Sequence, residues 1–220
     1  MDKRLNAILH YLEGFNVLYD VGSDHALLPI AAIKQNKVKR AYAIDNKKNP
    51  LKQANKNIAK AGLNGKITPL LADGLAAITS EVDVVVIAGL GGASINDIMK
   101  NYHGDHVKRF ILAPNTHEHL IRALVNEKPL KIKTERFIEE KGYFYPIMVL
   151  EPGQQSLNEE ACYISKPLLK AKDETYKKAL KHRLKKLEES QANIPIEHQP
   201  KPLTTHIDIL RRAIDGWQQD

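Results

Sequence analysis

Leu18-Tyr-Asp-Val-Gly-Ser-Asp-His-Ala-Leu-Leu-Pro29 decides how the chain is read. The apolar run Val17, Leu18, Tyr19 ends in Asp20; Gly22 follows, and an apolar helical pattern begins near Ala26. Such a segment predicts a strand, a tight turn and a helix, with an acid at the strand tip. A single glycine lets backbone approach a ligand, whereas the Gly-x-Gly-x-x-Gly fingerprint of nicotinamide dinucleotide sites is missing. Asp24 in the same turn would repel a pyrophosphate, and no Gly-Lys-Ser/Thr phosphate loop is present. The turn therefore fits S-adenosylmethionine better than a dinucleotide or ATP.

Outward from this turn, apolar runs alternate with helical patterns. Strands are predicted at 17–19, 40–44, 66–71, 82–87 and 110–112, the fourth (Val82-Asp-Val-Val-Val-Ile87) rich enough in β-branched residues to lie at the centre of a sheet covered on both faces. Leu5, Ile8, Leu9 and Leu12 predict an opening amphipathic helix that stops near Gly14. Asn49-Pro50 reads as a cap and first position of another helix, carried on by Leu51, Ala54, Ile58 and Ala61. Asn115-Thr-His-Glu118 has the spacing of a capping box. Segments 131–138 and 143–150, around Lys141-Gly142, predict a closing hairpin. The expectation is an α/β fold, a Rossmann-like sheet with an antiparallel edge.

Beyond Glu151-Pro-Gly153 the character changes. Leu169, Tyr176, Leu180, Leu184 and Leu187 predict one long lysine-rich helix; three prolines within 193–202 break it. Leu203, Ile207, Leu210, Ile214 and Trp217 then repeat at heptad spacing, so the pair predicts a C-terminal antiparallel helical coiled-coil hairpin. The expected organisation is a ligand-binding domain over 1–152 and a helical extension over 153–220.

The whole chain has 220 residues and a formal net charge of +7, a balance that favours polyanionic partners, nucleic acid first. Cys162 is the only cysteine, which excludes an intrachain disulfide and a cysteine-based zinc cluster. No run reaches the ~18 apolar residues of a membrane span. A cytoplasmic protein without membrane association is expected, a monomer in solution.

The chemistry-bearing residues fall at strand ends, where doubly wound sheets bind ligands. Asp20, Gly22 and Ser23 end the first strand, Asp45 and Asn46 the second, Asp73 and Gly74 the third, Ala88 and Gly89 the fourth, and Ala113-Pro-Asn115 the fifth. Asp45 is placed to accept the two ribose hydroxyls, Asp73 the adenine amino group, and Asp20 or Asp24 to balance the sulfonium charge. Taken singly, each aspartate is also an ordinary turn former; in register at consecutive strand ends they form a binding set. His117-x-His119 is spaced two apart, so the rings leave a helix on different faces, and no metal site is expected.

Together with Ala72-Asp-Gly-Leu75, Ile87-Ala-Gly-Leu-Gly-Gly92 and Ala113-Pro-Asn115, the first turn resembles the TrmK family of bacterial tRNA (adenine-N1)-methyltransferases acting on adenine 22. The resemblance covers essentially the whole chain. Its departures are Leu90, where the family often has Met, and Ala113, where it often has Gln. It implies a class I methyltransferase domain with a coiled-coil extension, S-adenosyl-L-methionine as donor and tRNA as acceptor. The alternatives are a methyltransferase for another RNA or a small molecule, and a noncatalytic tRNA-binding protein on a vestigial fold. Under the methyltransferase reading, Asp24, His25 and Asn115 are the candidate active-site residues; Asn115 also reads as a helix cap and His25 as an ordinary helix-start residue. Arg4, Lys177, Lys181 and Lys185 are the candidate RNA contacts. No aromatic adjoins Pro114-Asn115, so a stacking partner must come from elsewhere, Tyr143 and Tyr145 being candidates that also read as core.

Overall fold

The computed structural model describes residues 2–103 and 106–217. The chain opens with α1 (Lys3–His10), capped by the Asp2 carboxylate, which accepts the backbone N–H of Arg4 at 2.7 Å and of Leu5 at 3.2 Å. Five strands follow, β1 (Val17–Val21), β2 (Arg40–Asp45), β3 (Ile67–Leu71), β4 (Val84–Ala88) and β5 (Arg109–Ala113), joined by α2 (Leu27–Lys34), α3 (Lys48–Lys60) and α4 (Gly92–Lys100). After α5 (Glu118–Ala123) come the long strands β6 (Leu130–Glu140) and β7 (Tyr143–Pro152). They pair with each other antiparallel, and β7 pairs antiparallel with β5. The sheet order is β3-β2-β1-β4-β5-β7-β6, with β1 to β5 parallel.

Alternation along each central strand builds two cores. Leu18, Ala43, Val84, Val86 and Ile111 pack with Ile8, Ala32 and Ile58 of α1, α2 and α3. Tyr19, Ile44, Val85, Ile87 and Phe110 pack with Ile95, Met99 and Ile121 of α4 and α5. Val84 to Ile87 are fully buried, as predicted for a doubly covered strand. At the sheet edge away from the strands' carboxyl ends, Asp83 accepts the backbone N–H of Asn16 and Val17 and pairs with Lys108 at 2.6 Å, which ties the starts of three strands together.

Three local expectations fail. Asn49 does not cap α3: the helix starts two residues earlier, after Lys47, with Pro50 inside its first turn. The capping box at 115–118 does not form, because His117 takes a left-handed conformation as the cap residue, and Glu118 is buried against Arg183. The lysine-rich segment is not one helix: α7 (Lys166–Lys170) ends at a left-handed Lys172, and Asp173 caps a new helix, α8 (Glu174–Ala192), by accepting Tyr176 N–H at 2.7 Å.

The last segment adds α6 (Glu159–Tyr163) and α9 (Lys201–Gly216). Helices α8 and α9 run antiparallel: Lys177 lies over the Trp217 ring, and near the other end Glu188 pairs with Arg211 at 2.7 Å. Tyr176, Leu180, Leu210 and Ile214 form a third core that closes onto Phe137 of β6. Beneath it the guanidinium of Arg122, 1 % exposed, pairs with Glu135 at 2.7 Å and donates to the carbonyls of Cys162 and Tyr163. Burying such a cation is tolerable because the carboxylate and two carbonyls offset its desolvation, although Nη2 has no hydrogen-bond partner.

Candidate active site

A cleft of about 990 Å³ opens at the carboxyl ends of β1 to β4, at the switch point where the sheet order reverses between β1 and β4. Every residue expected from the sequence to hold the cofactor lines it: Asp20, Gly22, Ser23, Asp45, Asn46, Asp73, Gly74, Ala88 and Gly89.

Asp20 is not a strand tip. Strand β1 runs on to Val21, and Asp20 lies between Ala43 of β2 and Val86 of β4, 6 % exposed. That burial pushes its carboxyl up to about 7. The turn then reverses through Gly22, at φ +72°, a left-handed geometry that costs a side-chain-bearing residue about 1 kcal/mol or more. Ser23 N–H donates to the Ile44 carbonyl at 2.8 Å, which fixes the loop to β2. The Ser23 hydroxyl is buried beside the Asp20 carboxyl and tempers the rise in its pKa by hydrogen bonding. A buried acid and hydroxyl at the floor of a cleft suit a ligand that brings both hydrogen-bonding groups and positive charge.

The other strand ends are equally specific. One oxygen of Asp45 accepts Lys47 N–H at 2.8 Å. Asp73 is exposed, and its carboxylate has no partner among the described residues. Gly74, at φ +52°, lies so close to Ile98 that a Cβ would stand 3.0 Å from its side chain. Leu90 and Ile98 supply apolar walls, which strand-end reasoning missed; their signal was an apolar residue within each glycine-bearing turn or the helix behind it. Around the cleft the acids Asp2, Asp20, Asp24, Asp45 and Asp73 outnumber the bases Arg4, Lys34 and Lys47, a balance that suits a cationic ligand.

The candidate catalytic residues separate. Asp24 lies at the cleft mouth with its side chain 69 % exposed. His25 is not among the cleft residues: it takes a left-handed conformation, its ring contacts Asp24 at 3.3 Å, and its carbonyl accepts Asn57 Nδ2 at 3.0 Å. Asn115 donates through Nδ2 to the Gly89 carbonyl at 2.7 Å and accepts Arg4 Nη1 at 3.3 Å. It bridges β5 to the cofactor turn instead of capping a helix.

Arg4 belongs to the cleft rim, with its guanidinium 4.9 Å over the Tyr145 ring. Tyr143 is 59 % exposed and not core. Lys177 leans on Trp217 and lies 3.8 Å from Glu174; Lys185 lies 3.9 Å from Glu189; Lys181 is exposed with no ion pair among the described residues. Also among the described residues, no group of three or more His, Cys, Asp or Glu side chains is arranged for a metal ion, and no helix is long and apolar enough to cross a membrane.

The model of the family described as TrmK: tRNA (adenine(22)-N(1))-methyltransferase matches residues 18–213. The chain belongs to the TrmK family. It is 33% identical over 172 residues to the tRNA (adenine(22)-N(1))-methyltransferase of Bacillus subtilis, covering 77% of this chain and 72% of that protein. M. capricolum TrmK, solved with S-adenosyl-homocysteine, superposes with a TM-score of 0.85 at 29% identity over 98% of both chains. A Streptococcus pneumoniae protein solved with S-adenosyl-L-methionine gives 0.87 at 32% identity, covering 97% of this chain and 99% of that one. The TrmK match and the cleft agree on one ligand class. His25 does not line the cleft.

Proposed function

We propose that this TrmK-family chain is an S-adenosyl-L-methionine-dependent methyltransferase that modifies N1 of an adenine in tRNA, at position 22. The observation that carries the reading is the acid-lined cleft at the β1/β4 switch point, with buried Asp20 and Ser23 at its floor.

In this reading Asp45 accepts the ribose hydroxyls with the oxygen that Lys47 leaves free. Asp73 accepts the adenine amino group, between the apolar walls of Leu90 and Ile98. Asp20 and Ser23 face the methionyl end. Gly22, Gly74 and Gly89 let backbone approach the cofactor, and Asn46 and Ala88 complete the cleft wall. Bound cofactor supplies an electrophilic methyl group on a sulfonium sulfur.

Adenine N1 has an in-plane lone pair, so the protein's task is alignment more than activation. N1 lies on the Watson–Crick edge, so the base must leave its pair to be reached. Methylated N1 leaves a cationic base, and Asp24 at the cleft mouth stabilises that charge without taking a proton from N1. Asn115 orients the base edge. Lys177, Lys181 and Lys185 of α8 follow the phosphates.

The reading extends to organisation: residues 1–152 form the catalytic domain and 153–220 the helical extension, in a cytoplasmic protein that works as a monomer. The test is transfer of labelled methyl from S-adenosylmethionine to bulk tRNA, followed by nucleoside analysis. 1-Methyladenosine is expected from the wild type and is lost in a folded Asp24→Ala variant. Absence of 1-methyladenosine with the wild type refutes the function.

A further inference from the structure

The register of β7 on β5 pairs Phe110 with Leu150, Ile111 with Val149 and Leu112 with Met148. Past the end of β5 at Ala113 the chain reaches Asn115, and Arg4 touches both this residue and Tyr145 of β7. The Tyr145 ring packs against the core that holds α1, and the Arg4 guanidinium lies over the ring at 4.9 Å. The same guanidinium donates to Asn115 Oδ1 at 3.3 Å, while Asn115 Nδ2 is committed to the Gly89 carbonyl at 2.7 Å. Asn115 is thereby oriented with its oxygen outward, an acceptor with no donor to offer.

A guanidinium is flat, stacks on an aromatic face and donates in-plane N–H bonds. Adenine shares all three properties: it is flat, it stacks on aromatic rings, and its 6-amino group donates in the ring plane. We propose that the Tyr145 face and Asn115 Oδ1 form the seat of the target adenine, and that Arg4 occupies this seat in the substrate-free protein. Entry of the base displaces the guanidinium. The 6-amino group then takes over Asn115 Oδ1, and the purine takes over the ring.

C6, which carries the amino group, has N1 on one side and the N7 edge on the other; the proposed pose turns the N1 side toward Gly89 and the cofactor cleft. A base with a carbonyl at position 6 would set oxygen against oxygen at Asn115, so the seat selects an amino-bearing purine. The displaced Arg4 remains on the cleft rim, beside the Asp2 that caps its own helix.

The inference rests on the methyltransferase reading above, and one experiment separates the two. Steady-state transfer is measured with tRNA carrying adenine at the target position and with tRNA carrying 2-aminopurine there, which keeps a ring N1 lone pair and lacks the 6-amino group. The wild type is expected to methylate the 2-aminopurine tRNA at least tenfold less efficiently, about the effect of one lost hydrogen bond. Asn115→Ala is expected to bring the two substrates within about twofold of each other. Tyr145→Ala is expected to lower kcat/KM for tRNA at least tenfold with S-adenosylmethionine affinity unchanged, while Tyr145→Phe stays within threefold of wild type.

Wild-type kcat/KM in folded Tyr145→Ala, or full discrimination retained by Asn115→Ala, overturns the seat. If Tyr145→Ala does not fold, the Asn115→Ala comparison decides alone. A wild type that makes no 1-methyladenosine overturns the function itself.

Discussion

Replacing Asp20 with asparagine is expected to stabilise the ligand-free protein at pH 8 and to abolish a proton release that accompanies cofactor binding. Burial raises the Asp20 carboxyl from 3.8 to about 7. A raised carboxyl pKa means that the folded protein keeps a proton which the unfolded chain has already shed. Its contribution therefore turns against folding as pH rises from 3.8 to about 7 and is constant above. Three units correspond to roughly 4 kcal/mol at 1.36 kcal/mol per unit, a ceiling of which asparagine recovers a part. A ligand cation about 5 Å from the carboxylate, at an effective dielectric near 20, favours ionisation by about 3 kcal/mol, which returns the pKa to roughly 5. At pH 6 the carboxyl is then about 0.9 protonated before binding and about 0.1 after, so about 0.8 of a proton leaves. Calorimetry at pH 6 in two buffers of different ionisation enthalpy measures that number directly. Urea unfolding at pH 8 measures the stability gain. Release of no proton by the wild type, or equal release by wild type and Asp20→Asn, would refute the assignment of Asp20 to the cationic end of the cofactor.

Asp45→Ala is expected to weaken S-adenosylmethionine binding by about 10- to 100-fold, the loss of a charge-assisted contact, and unchanged affinity by calorimetry would sink the ribose assignment. Exchanging Lys177, Lys181 and Lys185 together for glutamine is expected to make the salt dependence of tRNA binding shallower by about 2 in the log–log slope. An unchanged slope in filter binding between 50 and 200 mM salt, taken as about the useful range, would place the phosphate contacts elsewhere. Burial drives His119 down to about 4 and His206 to about 3, both below the ordinary 6.5, so the fold sheds protons that the unfolded chain keeps. That stability is present above pH 6.5 and is lost as pH falls toward 4, by up to about 1.4 kcal/mol per unit for each ring. His206→Leu should lower the slope by up to about 1.4 kcal/mol per pH unit in urea titrations between pH 6 and 4, and an unaltered slope would assign it to other groups.

The sheet and the cofactor cleft were legible because period-two apolar runs and strand-end acids are local signals. Even the order of residues around the cleft follows from alternating strands and helices. Asp20 shows where local reading stops. The sequence has it ending a strand, and only the flanking of β1 by both β2 and β4 buries it and moves its pKa. The capping box failed for a similar reason: Glu118 has the right spacing, but Arg183, far away in sequence, claims its carboxylate. His25 was set aside by two left-handed residues in succession, at φ +61° and +53°, which turn the loop toward Asn57. Neither conformation is announced by a histidine or an alanine. Tyr145 was visible as a residue but not as a companion of Asn115, since the two meet through Arg4, which lies 111 positions from Asn115 and further still from Tyr145.

The ion pair between Arg183 and Glu118 joins the middle of α8 to the start of α5, three residues beyond Asn115. With the buried Arg122–Glu135 pair and the core under Tyr176, it leaves the arm no independent hinge at this point. A helix of 19 residues is about 28 Å long. On the reading of α8 as a phosphate-tracking arm, the helix works as a ruler fixed at the base-contact end. Each residue inserted between Arg183 and Lys185 would move Lys185 by about 1.5 Å and rotate it by about 100° while leaving Lys177, Lys181 and the base-contact end in place. Selection among folded RNAs would then depend on a length, set by how far the outer phosphates lie from the adenine to be reached.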